Sequence, residues 1–452
     1  MVWLFRKILV ANRGEIALRV VRAAKEMGIK TVAIYSEADK ESLHVQFADE
    51  AYCVGPAAQS KSYLNIPNII SVAIVTGADA IHPGYGFFAE KAEFAEVCQA
   101  NGFKFIGPSK ESIAILGDKS QAKEIMRQAG VPVIPGSPGK LNSLNEAMNF
   151  ASEVGYPVIV KAAAGGGGRG MRLARTEADL KKAYDLARSE AEVAFNSPEV
   201  YLEKYVENPR HIEMQILVDE HGKGVYLGER ECSLQRRHQK VLEEAPSVAV
   251  TPTLRKKMGE AAVRGALAAG YTNAGTVEFL LDSSGKFYFM EVNTRIQVEH
   301  TITEMVTGLD LIKEQIKIAA GIPLDYSQED IEIRGHAIQC RINAEDPDKD
   351  FRPTPGTIEG FFLPGGLGIR VDTAAYAGCE IHPYYDSLFA KLIAWGQDRE
   401  EAISRMKRAL DEFFVEGIST TIPFHKKVLE NEHFIKGEID TAFIAKHILK
   451  DH

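Results

Sequence analysis

The sequence predicts an α/β protein of more than one domain, with a doubly wound parallel sheet near its N-terminus. Three observations lead there. The chain has 452 residues, beyond the size at which one hydrophobic core keeps growing. Its composition, 45% hydrophobic and 25% charged, is that of a globular protein and not of a disordered, collagenous or disulfide-built one. In its first part, short apolar runs alternate with helical patterns, the rhythm of strand, helix, parallel strand.

Taken in order, Ile8–Ala11 reads as a strand, and Glu15–Met27 as a helix carrying Ile16, Leu18, Val20, Val21 and Ala24 before Gly28 stops it. Strands follow at Thr31–Tyr35, Ala78–His82 and Phe103–Ile106, the last two each closed by a Gly/Pro break. A ligand would sit beyond the carboxyl ends of such strands. A second region opens near Gly117 with a helix ending at Gly130, then passes Pro132, Pro135 and Pro138 into a strand at Pro157–Lys161. A glycine run and a charged helix, Glu177 to about Phe195, come next, with strands at Val200–Tyr205, His211–Val218, Thr276–Leu281 and Lys286–Val292. The third region, after Asp325–Glu332, is richer in Pro and Gly and holds a helix at Arg399–Phe413 and a helical tail.

Three stretches hold groups suited to chemistry. Gly165–Gly170 (Gly-Gly-Gly-Gly-Arg-Gly) follows the strand ending at Lys161. Serial glycines let backbone N–H groups close over phosphate oxygens, and Lys161 adds a positive charge. It is not a Walker A loop, since Met171-Arg172 follows; a flexible linker is the competing reading. The second is a hairpin pairing Glu278 with Glu291 and Asn293. With a symmetric loop, facing residue numbers sum to 567, so Glu278 faces Phe289 with Glu291 one diagonal step away. Two carboxylates and an amide oxygen form a hard-oxygen set suited to Mg²⁺, against which stands a solvated strand face. The third, Glu229–Lys240, is dense in charge and reads equally well as a solvated loop or a functional one.

Other chemistries find no support. The net charge of −9 argues against nucleic-acid or anionic-membrane partners, and no apolar run is long enough for a membrane span. Five scattered cysteines without a C-x-x-C pair read as reduced, buried thiols in a cytoplasmic protein. There is no H-E-x-x-H or G-x-S-x-G motif.

Six stretches together resemble biotin carboxylase, the ATP-grasp subunit of biotin-dependent carboxylases, over Ile8 to about Ile422. They are Ala11–Ala17, His82–Phe87, Gly165–Gly170, Arg236–Lys240, Glu291–His300 and Cys340–Asp346, in the family's order. Thr301 departs from the family's usual Pro after the Glu-His pair, without loss of a functional group. The resemblance implies an N-terminal Rossmann-like domain (1–115), an ATP-grasp domain (116–325) with a mobile lid at about 131–205, and a C-terminal biotin carboxylase domain (326–452).

It also implies an activity: ATP phosphorylates bicarbonate to carboxyphosphate, whose CO₂ passes to biotin on a biotin carboxyl carrier protein. By residue-wise match, the resemblance places Lys119, Lys161, Gly166, Gly167, Gly168, Glu203, Lys204, Tyr205, Val206, His211, Gln235 and His238 on ATP. Glu278, Glu291 and Asn293 would hold two Mg²⁺ or Mn²⁺ ions. Lys240, Arg295, Gln297 and Val298 would line the bicarbonate pocket, Glu299 would be the base, and Arg341 and Tyr85 would serve biotin. A homodimer is implied, with carrier and carboxyltransferase as partners; since no Met-Lys-Met attachment motif occurs, these are expected on other chains or on a part of the protein outside this sequence. The first half-reaction of acetyl-CoA carboxylase in fatty acid synthesis is the leading setting; pyruvate, 2-oxoglutarate and other acyl-CoA carboxylases are alternatives. An ATP-grasp ligase for another carboxylate would lack Arg295–Glu299 and Arg341 as a signature, and a silent assembly subunit would have lost Glu299 or a metal carboxylate.

Overall fold

A computed structural model describes residues 4–137, 139–162, 171–195 and 198–449. The parallel sheet is present: β1 (Lys7–Val10), β2 (Lys30–Ser36), β3 (Glu50–Gly55), β4 (Ala80–His82) and β5 (Lys104–Phe105) lie in the order β3-β2-β1-β4-β5. Each expected strand falls within two residues of its observed end. β3 was not foreseen; it is the edge strand, and only Val54 of its Ala-Tyr-Cys-Val run is buried. The helix Gly14–Glu26 buries Ile16, Leu18, Val20 and Val21 as its period requires. Strand order reverses beside β1, so the loops after β1 and β4 meet beyond their carboxyl ends, where open α/β sheets place ligands.

The chain divides into two compact units. The smaller comprises Pro132–Pro209 with Leu280–Met290. It contains an antiparallel sheet of β6 (Val158–Ala162), β7 (Met171–Ala174) and β8 (Val200–Lys204), in the order β7-β6-β8. Val158, Val160, Leu202, Leu180 and Ala187 form its core. Gly166, Gly167 and Gly168 lie outside the described residues.

The larger unit holds most of an eight-stranded sheet. Its strands include β9 (Arg210–Val218), β10 (Gly224–Arg236), β11 (Gln239–Ala245), β12 (Asn273–Leu281), β13 (Phe287–Asn293) and β14 (His336–Asn343). Leu388–Gly396 and Ile369–Thr373 continue it beyond β14. The reading of Glu229–Lys240 as a possible solvated loop is corrected here. These residues are a β-hairpin, in which Glu229, Arg230, Glu231 and Ser233 are buried. Arg236 pairs with Gln239, leaving a two-residue turn of Arg237 and His238, both with positive φ (49° and 65°). Such turns ordinarily use Asn or Gly; non-glycine residues held there mark a site where strain is tolerated for function.

The expected hairpin register is also corrected. Asp282 N–H donates to the Lys286 carbonyl at 2.9 Å, so facing numbers sum to 568 at the turn and not to 567. The loop is asymmetric, with Gly285 at φ 82°, the positive-φ position of a three-residue hairpin loop.

All five cysteines are free. Cys98, Cys232 and Cys340 are buried as expected, whereas Cys53 is exposed and Cys379 half-buried. Among the described residues no helix is long and apolar enough to cross a membrane.

Candidate active site

Lys240 is the centre of the site. It stands on β11, two places past the strained turn, and its ammonium lies 2.9 Å from Glu278 Oε1 and 2.8 Å from Glu299 Oε1, with a third contact to Glu213. Three carboxylates on one buried cation would repel one another without further positive charge. Two arginines provide it. Arg230, fully buried on β10, donates to Glu213 Oε2 at 3.0 Å, Gln215 at 2.7 Å, Thr276 and Thr303 at 3.0 Å, and Gln297 Oε1 at 2.6 Å. Arg341, on β14, reaches Glu299 Oε2 at 3.0 Å and Glu243 Oε1 at 2.6 Å.

The balance of charges sets the ionisation. Burial alone would push the Glu299 carboxyl upward, but Lys240, Arg341 and Arg230 outweigh it and hold the group well below the usual carboxylate range. Glu278 is depressed in the same way, against its burial, by Lys240 and His211. For Arg341 burial works against the charge, yet Glu243 and Glu299 raise its pKa above the ordinary arginine value. A buried carboxylate is thus kept ionised between two cations, each of which can shift to an incoming anion.

Glu278 is ringed by donors. Its Oε1 accepts from Lys240, from Asn293 Nδ2 at 2.7 Å and from Gln297 Nε2 at 3.0 Å, and His211 Nε2 lies 2.9 Å from Oε2. Gln235 Nε2 lies 2.8 Å from the other His211 ring nitrogen. Arg295 Nε sits 3.0 Å from Glu90 Oε2, and its Nη2 donates to Asn293 Oδ1 at 3.1 Å. Val298 presents its carbonyl to the buried Lys391 at 3.3 Å. Thr301, the departure noted above, is buried and bonds Gln339, so the helix His300–Thr307 begins without the proline.

Lys240, Arg295, Gln297, Glu299, Arg341, Glu278, Asn293, His211 and Gln235 therefore belong to one connected cluster. Glu291 does not join its carboxylate contacts and pairs with Lys119 at 3.3 Å. His238 is in the strained turn. In the smaller unit, Lys161 bonds Glu203 at 2.5 Å, and Lys204 donates to the carbonyls of Gly155 and Tyr156 at 2.9 Å. Tyr205 and Val206 follow β8, half-buried. Tyr85 is placed by Asn12, whose Nδ2 donates to the Pro83 and Tyr85 carbonyls at 2.7 Å. A Cβ on Gly84, φ 63°, would come within 2.9 Å of that same nitrogen, so the turn requires glycine.

Sequence reading missed Glu213, Glu243 and Glu90, and singled out Arg230 only as part of the charged stretch Glu229–Lys240. The alternation His211, Glu213, Gln215 along β9 was the available signal: polar residues at period two in an otherwise apolar strand share one face.

The donor set suits a divalent magnesium ion. Glu278 is held ionised, Glu291 keeps a half-exposed carboxylate on β13, and the Asn293 amide oxygen completes a hard-oxygen set. Glu291→Gln should therefore weaken Mg²⁺ dependence and remove most ATP cleavage while ADP still binds. An unaltered Mg²⁺ titration would remove Glu291 from the ligands.

The buried carboxylates and cations lie on a sheet paired antiparallel from β9 through β10 and β11 to β14, and the sequence families identify the chain as an ATP-grasp enzyme. Sequence families agree in chain order. Residues 4–113 match "Biotin carboxylase, N-terminal domain", 118–327 match "Carbamoyl-phosphate synthase L chain, ATP binding domain", and 339–446 match "Biotin carboxylase C-terminal domain". Biotin carboxylase 1 of Bacillus subtilis (strain 168) is 59% identical, covering 98% of this chain and 99% of its own. A pyruvate carboxylase subunit of Methanothermobacter thermautotrophicus is 56% identical, covering 98% and 90%. The biotin carboxylase domain dimer of Hydrogenobacter thermophilus 2-oxoglutarate carboxylase, solved with MgADP, ADP and bicarbonate, superposes with a TM-score of 0.87 at 52% identity, covering 98% of each chain. The chain belongs to the biotin carboxylase family of ATP-dependent ligases.

Proposed function

We propose that this chain carboxylates biotin on a carrier protein, supplying carboxybiotin to a carboxyltransferase, and that the Lys240–Glu299–Arg341 cluster serves both steps, here the two half-reactions: formation of carboxyphosphate and carboxylation of biotin. The observation behind this is one buried carboxylate, Glu299, held between a lysine and an arginine on different strands. Bicarbonate is a far weaker acid than a glutamate side chain. Glu299 can take its proton only where Lys240 and Arg295 stabilise the dianion formed. That oxygen then attacks the γ-phosphorus of ATP, ADP leaves, and carboxyphosphate results. Bound at Glu278, Glu291 and Asn293, two magnesium ions would neutralise charge on the phosphates.

Carboxyphosphate breaks down to CO₂ and phosphate. Biotin N1 gives up its proton to the phosphate just released, its ureido oxygen takes on enolate character beside the permanent cation Arg341, and N1 attacks CO₂ to form carboxybiotin. His211, Gln235, His238, Lys119, Lys161, Gly166, Gly167, Gly168, Glu203, Lys204, Tyr205 and Val206 are assigned to ATP. Gln297 and Val298 join Lys240 and Arg295 on bicarbonate, and Tyr85 joins Arg341 on biotin. ATP hydrolysis that requires bicarbonate and rises with free biotin tests the assignment; hydrolysis indifferent to both would refute it.

We divide the chain into domains at 1–115, 116–325 and 326–452, with a lid at about 131–205. The separate compactness of Pro132–Pro209 with Leu280–Met290 supports the lid, whose closure would keep water from carboxyphosphate. MgADP should slow proteolysis within 131–205; equal cleavage with and without nucleotide would count against a lid. A cytoplasmic homodimer acting in acetyl-CoA carboxylase is the favoured setting. The 59% identity to a bacterial biotin carboxylase supports it, and the 56% identity to a pyruvate carboxylase subunit keeps that acceptor as a second reading. Copurification of the native carboxyltransferase distinguishes them.

A further inference from the structure

Where the loops after β1 and β4 meet, a carboxylate and a lysine are buried together. Glu15 opens the helix Gly14–Glu26, and its side chain is 4% exposed; Lys391, on Leu388–Gly396, is 0% exposed. Their charged atoms are 2.9 Å apart. Asp372 lies 3.8 Å from the same ammonium and is itself tied to Arg370 at 2.7 Å. The second Glu15 oxygen accepts the hydroxyl hydrogen of Tyr85. Lys391 stands directly opposite Arg341 in the sheet register, and its ammonium also reaches the Val298 carbonyl, next to Glu299.

Burying two charges is costly unless geometry and further hydrogen bonds compensate. Apolar residues would fill this space without that cost, and the arrangement does one thing they cannot. It fixes a single acceptor for the Tyr85 hydroxyl while leaving the tyrosine backbone to Asn12. Glu15 also lines a cleft of about 260 Å³ with Arg13, Asp39 and residues of the 374–389 segment.

We propose that Glu15 is a positioning residue for biotin: fixed by Lys391, it holds the Tyr85 hydroxyl in the one orientation that meets the ureido ring. This rests on the reading that Tyr85 and Arg341 serve biotin. The effect falls mainly on the biotin step: Glu15 itself contacts Tyr85 and Lys391, and only Lys391 reaches on to the Val298 carbonyl.

The test compares Glu15→Gln with the doubly neutral Glu15→Leu/Lys391→Met variant in the full chain, using free biotin. Gln keeps an acceptor for Tyr85, so biotin KM should stay within about threefold of the parent. The double variant should raise biotin KM about tenfold or more, the effect of one lost buried hydrogen bond, with ATP KM within about threefold and ADP release lowered much less than carboxybiotin, since Lys391 also meets the Val298 carbonyl. Tyr85→Phe should raise biotin KM similarly, and adding it to the double variant should bring little further loss. If the double variant does not fold, Glu15→Ala replaces it, with added acetate expected to restore biotin KM there and not in Tyr85→Phe. Equal losses in biotin and ADP readouts, or no acetate rescue in the alanine variant, would overturn the proposal by reducing Glu15 to a structural role. A Tyr85→Phe effect with none from Glu15→Leu/Lys391→Met would overturn it while leaving biotin at Tyr85. No effect of Tyr85→Phe would overturn the placement of biotin and this proposal with it.

Discussion

Replacing Glu299 by Gln should lower bicarbonate-dependent ATP cleavage by about 10² or more, a typical general-base effect. Gln preserves side-chain size and can still receive a hydrogen bond from Lys240 or Arg341, so the fold should persist. What it loses is the proton acceptor and one negative charge between two cations. Added biotin should not restore activity, because the defect precedes carboxyphosphate. The pKa depression of Glu299 adds a pH expectation. A carboxyl held below its unfolded value stabilises the protein above that value, near pH 4.3. This contribution is lost only as pH falls through the lower folded value. Any decline in activity between pH 8 and 6 should therefore persist in shape when Glu299 is replaced by Asp.

Arg341→Gln should act on the other half. ATP and bicarbonate should still bind, and some uncoupled ATP cleavage should remain, since Lys240 continues to compensate Glu299. Carboxybiotin should fall much further, because no permanent cation is left for the ureido oxygen. The substitution also leaves Glu243 fully buried without its guanidinium partner. Removing one member of a buried pair costs about 3–5 kcal/mol, so the variant should unfold at lower urea. Glu243→Gln added to it should recover part of that loss without recovering carboxybiotin.

Much of the fold was legible because apolar period reports burial. β1, β2, β4 and β9 were all expected from apolar runs, and the helix Glu177–Phe195 from its charged periodic pattern. The β10–β11 hairpin escaped because its polar residues are buried against one another. Arg230 faces Glu213 across the β9–β10 pairing, and Glu243 faces Gln339 across β11–β14. A charge run has the same appearance whether water or a partner strand neutralises it, and only the sheet order decides between them. The same reason hid Lys391, which lies 376 positions beyond Glu15 (391 − 15) and meets it only once the fold has formed. Lys240, Glu299 and Arg341 were found through the family's motifs and Glu278 through the hairpin's hard-oxygen set, whereas their supporting residues lie outside those motifs on neighbouring strands. The hairpin register went wrong for a local reason: a positive-φ glycine made the loop asymmetric.

Glu299 and Arg341 are expected to divide the two half-reactions within one charged cluster. The most direct measurement of that division is ADP release and trapped carboxybiotin on the same preparation of the parent, Glu299→Gln and Arg341→Gln proteins. The ratio of carboxybiotin to ADP should stay near the parental value in Glu299→Gln, where both products fall together. In Arg341→Gln it should collapse, with ADP release partly retained. Equal proportional loss of both products in both variants would contradict the division and make the cluster a single unit whose contributions cannot be separated.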